Sequence, residues 1–279
     1  MVSEKESSPF KNTFFLLFVF ATFISNTGTW LFALGSGWLM TELDSSEFMV
    51  SLVQTATLIP LFLLALPAGA IGDIYNQKRI IIITQSLLIV NTLIFAYIVY
   101  LDKATVVLLL VFTLLNGVGA AFSRPVMAAF IPQLISKEKL RTAVNLTGMA
   151  YNLSRALGPI LGGWLITTFA IDMPFWIDGI SFGAVVLVIL FWSGNKVKPK
   201  TASQKLKWAM GDSVRFLRYT PALYKSIIRA VLFFFPASAL WAFMPLIARE
   251  QLGGDATLYG YLLGASGFGA VSSITFSKM

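Results

Sequence analysis

Long apolar runs alternate with short polar breaks along the whole chain. Eight such runs stand out, at residues 13–40, 48–72, 80–101, 104–131, 142–170, 175–194, 227–248 and 257–277. A helix needs about 20 mostly apolar residues to cross a bilayer. The pattern therefore predicts eight membrane-spanning helices in three parts. Residues 1–194 form a six-helix transmembrane bundle, 195–226 a basic cytoplasmic linker, and 227–279 two further helices. Within the linker, Leu206, Ala209, Met210, Val214 and Leu217 recur at helical spacing beside Lys205, Lys207, Arg215 and Arg218. That fits an amphipathic helix on the membrane surface, or equally a solvated connection. The first run is too long for a signal-peptide core and ends without a convincing cleavage site, so it reads as a retained span.

Composition sharpens this picture. The chain is 57% hydrophobic and 12% charged, against roughly 25% charged in soluble domains. It is an integral membrane protein whose first partner is the lipid bilayer. With no cysteine and no histidine, disulfides, thiol catalysis, the usual zinc sites and Ser-His-Asp chemistry are excluded. No nucleophile–base pair or metal-ligand set lies in the spans, so no enzyme, cofactor or metal is expected.

The net charge of +8 could suggest nucleic acid, but its distribution points to a membrane. With the N-terminus inside, the inner segments hold Lys5, Lys11, Lys78, Arg79, Lys137, Lys139, Arg141 and the basic stretch from Lys196 to Arg229. The outer loops hold only Lys103 and Arg249, among Glu42, Asp44, Glu47, Asp102, Asp172, Glu250 and Asp255. Lysine and arginine gather on the cytoplasmic side of membrane proteins. No nucleic-acid partner is expected.

The fifth run contains NLSRALGPILGGWL, residues 152–165. At about 100° per residue, Asn145, Asn152, Pro159 and Gly163 fall on nearly one line. Gly148, Arg155 and Gly162 lie beside it, and Ser154 lies opposite. Such a stripe cannot favour lipid and must face protein or a water-filled cavity. A central arginine costs about 2.5–3.5 kcal/mol on insertion scales, and a guanidinium keeps its charge in proteins. Arg155 thus needs an acceptor, an anion or water, with Asp178 or a backbone carbonyl as structural alternatives. Arg124 lies nearer the inner end of its run, where snorkelling is favoured over contact with a substrate. Span 1 carries Ser25, Asn26, Thr27 and Thr29 beside Trp30. Spans 1, 4 and 5 hold no Asp or Glu, which favours a neutral, zwitterionic or anionic substrate.

Three motifs carry a family resemblance. Residues 69–80, GAIGDIYNQKRI, resemble the loop signature G-x-L-A-D-[RK]-x-G-[RK]-[RK] of the major facilitator superfamily through Gly69, Ile71, Gly72, Asp73 and Lys78, with Arg79 adjacent. Ile74, Asn76 and Gln77 depart from it. Gly117, Gly119 and Ala121 resemble the fourth-helix motif R-x-x-x-G-x-G-x-A, with Thr113 in place of its arginine. Gly158, Pro159, Gly162 and Gly163 resemble the fifth-helix motif of exporters and antiporters, with Ser154 in place of its leading glycine. The N-x-x-R-x-x-G-P, A-F-x-x-P and R-x-L-R-Y-x-P runs at 152–159, 121–125 and 215–221 resemble the branch holding the enterobactin exporter and related bacterial efflux proteins.

The resemblance implies an all-α membrane protein of the major facilitator fold. It would comprise a complete N-terminal six-helix bundle and the first two helices of the C-terminal bundle. It also implies alternating access, with export of a small siderophore-like, drug-like or metabolite substrate in exchange for protons. The expected setting is the bacterial inner membrane, multi-pass, with a cytoplasmic N-terminus and a monomeric full-length protein. The family fold lines its cavity with helices 1, 4 and 7, which would bring Asn26, Trp30, Asn116 and Trp241 to the substrate, with Asn152 and Arg155 alongside. The motif of Gly69, Gly72, Asp73, Lys78 and Arg79 would help latch the two halves on the cytoplasmic side. A lysophospholipid flippase on the same fold and a non-transporting, truncated membrane fragment remain alternatives. If the chain is truncated, the reading frame downstream of codon 279 encodes about four more spans, and an immediate stop codon there contradicts this.

Overall fold

A backbone in hydrocarbon must satisfy its own hydrogen bonds, and a helix does so within one segment. Each apolar run is accordingly helical in the computed structural model, which describes residues 12–193 and 220–276. The order is α1 (Thr13–Leu43), α2 (Glu47–Ile74), α3 (Gln77–Tyr100), α4 (Val106–Leu134), α5 (Leu140–Thr168), α6 (Met173–Leu190), α7 (Pro221–Leu246) and α8 (Ala256–Phe276). The amphipathic stretch 206–218 lies outside the described residues. α7 begins at Pro221, six residues before the apolar run. Proline suits a first helical turn because its missing N–H would be unbonded there anyway. The far end of α7 widens into a π-helical turn, Ile247–Gln251.

Polar side chains set several boundaries. The Asn12 carbonyl oxygen accepts from the Phe15 N–H at 3.0 Å, and its amide donates to the Leu134 carbonyl at 2.8 Å. One side chain thus caps α1 and ties it to the end of α4. Asn76 and Thr105 cap α3 and α4 by accepting from Arg79 N–H at 3.2 Å and Leu108 N–H at 3.3 Å.

α1 packs against α5 on one flank and α6 on the other, while α3 bridges α6 and α4, and α2 lies along α4. Near the Asn12 end, called here the N-terminal side, Phe15, Phe18, Ile81, Val126, Phe130 and Ile189 form a core. On the far side, Phe32, Phe95 and Phe175 make a second, with ring centroids 4.9–6.2 Å apart. α8 lies along α5, and α7 touches α2. The far end of α7 also meets α1 and α8, burying Met244 and Leu246, whereas its middle turns present an apolar surface, with Phe235 80% exposed.

Six of the described helices are long and apolar enough to cross a membrane by length and composition. α5 and α8 are not among them. The polar stripe dilutes α5, and glycine, serine and tyrosine dilute α8. These two pack on each other, so their composition answers to a helix neighbour as well as to lipid. Without a hydrophobic effect between helices in lipid, small residues allow the close approach that dispersion needs. A Cβ on Gly264 of α8 would sit 2.6 Å from Ile160 Cγ1 and 2.9 Å from the Ala156 carbonyl oxygen. One on Gly267 would sit 2.8 Å from Ala156 Cα, and one on Gly260 would overlap the Pro159 carbonyl. From α5, a Cβ on Gly163 would strike the Ala256 carbonyl, and one on Gly158 would sit 2.6 Å from Trp30 Cβ of α1.

Gly264→Val should therefore lower stability by about 1–3 kcal/mol through overpacking. Gly148→Ala should leave it unchanged, because nothing lies within 4 Å of a Cβ there. Thermal unfolding in a neutral detergent separates the two, and equal midpoints would refute the close α5–α8 contact.

Candidate functional site

A cavity of about 280 Å³ opens between α1, α2 and α4, with α3, α5 and α6 completing its wall. Polar positions of α1 recur toward it at Thr22, Ser25, Asn26 and Thr29, followed by Trp30. α2 adds Gln54 and Thr57, α3 adds Gln85, α4 adds Asn116, Ser123 and Arg124, and α5 adds Tyr151. Leu58, Leu61, Leu88, Met127 and Phe182 supply apolar wall. Several hydroxyls are held by their own helix. Thr29 Oγ1 donates to Ser25 O at 3.1 Å and Thr57 Oγ1 to Val53 O at 2.9 Å. Each such oxygen keeps acceptor capacity for a solute. Two cross-helix bonds stiffen the floor: Gln85 Nε2 to Ser123 Oγ at 2.8 Å, and Asn116 Nδ2 to Thr92 Oγ1 at 3.3 Å.

The six expected cavity residues separate into two groups. Asn26, Trp30 and Asn116 stand in the wall. Arg155 and Trp241 meet outside that wall, where α1, α5 and α7 converge. The Arg155 guanidinium carbon lies 4.9 Å from the Trp241 ring centroid and 5.8 Å from that of Trp30. Its Nε is buried without a hydrogen-bond partner. Tryptophan is the best aromatic partner for such a cation, so two indoles from two helices take the place of an acceptor. Asn152, one turn earlier, is half-buried and not in the wall.

Arg155 is not paired with Asp178. That carboxylate sits on α6 against Gly28 of α1, fully buried, with both oxygens lacking a hydrogen-bond partner. Asn116 and Thr92 are the polar side chains turned toward it.

The α5 stripe is divided along its length. Pro159 and Gly163 face α8, whereas Gly158 and Gly162 face α1, with a Cβ on Gly162 3.2 Å from Leu34 Cδ2. Toward the N-terminal side, Asn145 and Gly148 are exposed. Ser154 is fully buried against α1. Its hydroxyl donates to the Phe23 or Ala150 carbonyl, both at 3.0 Å, and accepts from Thr27 Oγ1 at 3.1 Å. A small polar residue there joins two backbones where the family motif has glycine.

Two side chains of the loop bond within the first bundle. Lys78 Nζ donates to the Leu190 and Trp192 carbonyls at 3.1 and 2.6 Å, a cation at the C-terminus of α6. Gln77 Nε2 donates to Gly72 O at 3.1 Å, and its carbonyl oxygen accepts from Gln133 of α4. Gly72 is close to Val126, with a Cβ 3.1 Å from Val126 Cγ2. Gly69 faces open space and the Arg79 side chain is exposed. The Asp73 side chain lies outside the described residues.

A second cluster closes the far side. Arg249, carried on the π-helical turn, donates from Nη1 to Thr41 Oγ1 at 2.9 Å and lies 5.5 Å from the Trp38 ring centroid. Trp38 Nε1 donates to Glu42 at 2.9 Å, and its ring stacks on Tyr259 of α8 at 6.4 Å. Thr167 and Thr257 hydroxyls meet at 2.9 Å. α1, α5, α7 and α8 are thus joined on the far side.

A double-mutant cycle of Arg155→Met with Trp241→Leu should give a coupling of about 0.5–2 kcal/mol in thermal stability. Additive effects would show that the indole does not hold the guanidinium.

The family described as transmembrane secretion effector matches residues 5–279. The staphyloferrin A transporter of Staphylococcus aureus is 26% identical over 174 residues, covering 62% of this chain and 44% of that protein. The MFS-type transporter YfiS of Bacillus subtilis is 25% identical over 254 residues, 88% of this chain and 59% of its own. The multidrug efflux pump Tap of Mycolicibacterium fortuitum is 26% identical over 219 residues, 75% and 53% respectively. This chain thus spans about half the length of these relatives. Among solved structures, a bacterial homologue of the human lysosomal transporter Spinster superposes with a TM-score of 0.69 at 15% identity, covering 93% of this chain and 60% of that one.

Proposed function

Because the chain belongs to the transmembrane secretion effector family of major facilitator transporters, we propose that it exports a small molecule by alternating access, in exchange for protons. The observation that carries this reading is a polar cavity in one bundle, set beside a seam that is joined on the far side. Backbone contacts at glycine distance suit surfaces that must slide or rock as rigid bodies, and repeated bundles rocking about a central site are common in secondary transporters. The basic inner segments support a cytoplasmic N-terminal side in a bacterial inner membrane. A staphyloferrin A transporter and an efflux pump among the relatives favour a siderophore-like or drug-like solute. Asn26, Trp30 and Asn116 make the contacts, and Arg155 with Trp241 and Asn152 governs the seam. Asp178, turned toward Asn116 of the wall, is the candidate proton carrier.

The test expresses the full-length protein in an efflux-deficient bacterium and follows accumulation of norfloxacin, a zwitterionic drug, and siderophore secretion. Expression should lower accumulation or raise secretion, a protonophore should abolish the effect, and Asn116→Ala should reduce it about tenfold through a lost substrate hydrogen bond. No change in either assay would refute export of these classes.

A further inference from the structure

We propose that Arg124 binds the carboxylate of an anionic solute in the cavity, an assignment that rests on the transport reading above and narrows its substrate class. Two arginines lie within the spans of the first bundle, and the structure gives them different surroundings. Arg155 is held between Trp30 and Trp241. Arg124 instead stands in the cavity wall, where among the described residues no other side chain is charged.

Among the described residues no acid pairs with Arg124. Glu42 accepts from Trp38 at the far end of α1, and Asp178 is sealed against Gly28. A cavity with a low-dielectric rim strengthens the field of such an uncompensated charge. It attracts an anion and repels a lipophilic cation. A guanidinium can meet a carboxylate with two parallel hydrogen bonds. The neighbouring Ser123 is fixed by Gln85 at 2.8 Å, which anchors that turn of α4. Asn26, Gln54 and Asn116 supply neutral donors and acceptors for hydroxyl or amide groups, and Trp30 with Tyr151, ring centroids 6.5 Å apart, forms an aromatic wall. The complement is a compact carboxylate bearing hydroxyl or amide groups, with its charged end on Arg124.

The test uses the full chain in a neutral detergent without added lipid. Acetate, succinate, citrate and tetraphenylphosphonium are titrated against the thermal unfolding midpoint, with sodium chloride at matched ionic strength as control. At least one carboxylate should stabilise saturably and tetraphenylphosphonium should not. Arg124→Gln should weaken that carboxylate about tenfold or more, while Lys103→Gln, an equal loss of charge at an exposed position outside the cavity wall, leaves it bound. Should the glutamine variant not fold, Arg124→Lys should weaken it severalfold by losing the paired geometry. The proposal is overturned if no carboxylate stabilises, if Arg124 variants bind as the parent does, or if chloride matches the effect. It is also overturned if phosphatidylglycerol nanodiscs, but not phosphatidylcholine ones, abolish citrate binding, because the anion is then a lipid headgroup. Transport does not enter this measurement. A chain that binds carboxylates while both export assays above show no change refutes the export reading and keeps this one.

Discussion

The close approach of the α5 backbone to two different helices constrains the rest of this structure. On one flank Gly158 and Gly162 admit α1, and on the other Gly163 meets α8, whose Gly260, Gly264 and Gly267 answer it. Helices in lipid gain little from burying apolar surface against each other, so dispersion at short range and polar bonds must hold them. Ser154 adds such bonds at the α1 contact, accepting from Thr27 and donating into the helix backbone. A helix with two committed faces leaves a narrow strip between them. Arg155 emerges from that strip, and the indoles of Trp30 and Trp241 receive it.

That arrangement separates two electrostatic tasks. A half-buried guanidinium set over two aromatic faces is stabilised without an acid, and the wall of the cavity holds no carboxylate among the described residues. Arg124 then meets the cavity as its single charged group among the described residues. On the far side, Arg249 repeats the first solution, lying over Trp38 while bonding Thr41. Arginine against tryptophan joins the first bundle to α7 and its continuation at two depths. At the opposite end the basic loop residue Lys78 turns inward to the carbonyls of α6.

Much of the fold was legible in the chain, because hydrocarbon imposes a length and a composition on every span. All eight runs are helices, and the start of α7 at Pro221 differs only because the first turns of a membrane helix can be polar. The site was legible in part. Periodicity placed Asn26 and Asn116 on polar faces, yet it cannot say whether a face meets a cavity or a neighbouring helix. Asn152, Arg155 and Trp241 therefore fell at the seam and outside the wall. Gln54, Gln85 and Tyr151 escaped notice as single polar residues in apolar runs. The depth of Arg124 is legible in the sequence, and its place in the cavity wall is not. Ser154 looked like a gap in a glycine motif, and only its buried hydrogen bonds show the join it makes. The signal that could have found the seam in advance is Gly260-x-x-x-Gly264, a small-residue spacing matching the glycines of α5.

The account stands on a seam closed at its far end. A chain without cysteine allows this to be read directly by placing cysteines at Thr167 and Thr257, whose hydroxyls lie 2.9 Å apart. Mild oxidation in native membranes should join them within one chain in high yield, with a water-soluble maleimide still labelling a cysteine at Asn145. Failure of the Thr167–Thr257 pair to cross-link, together with protection of position 145, would contradict the closed far side and the exposure of Asn145.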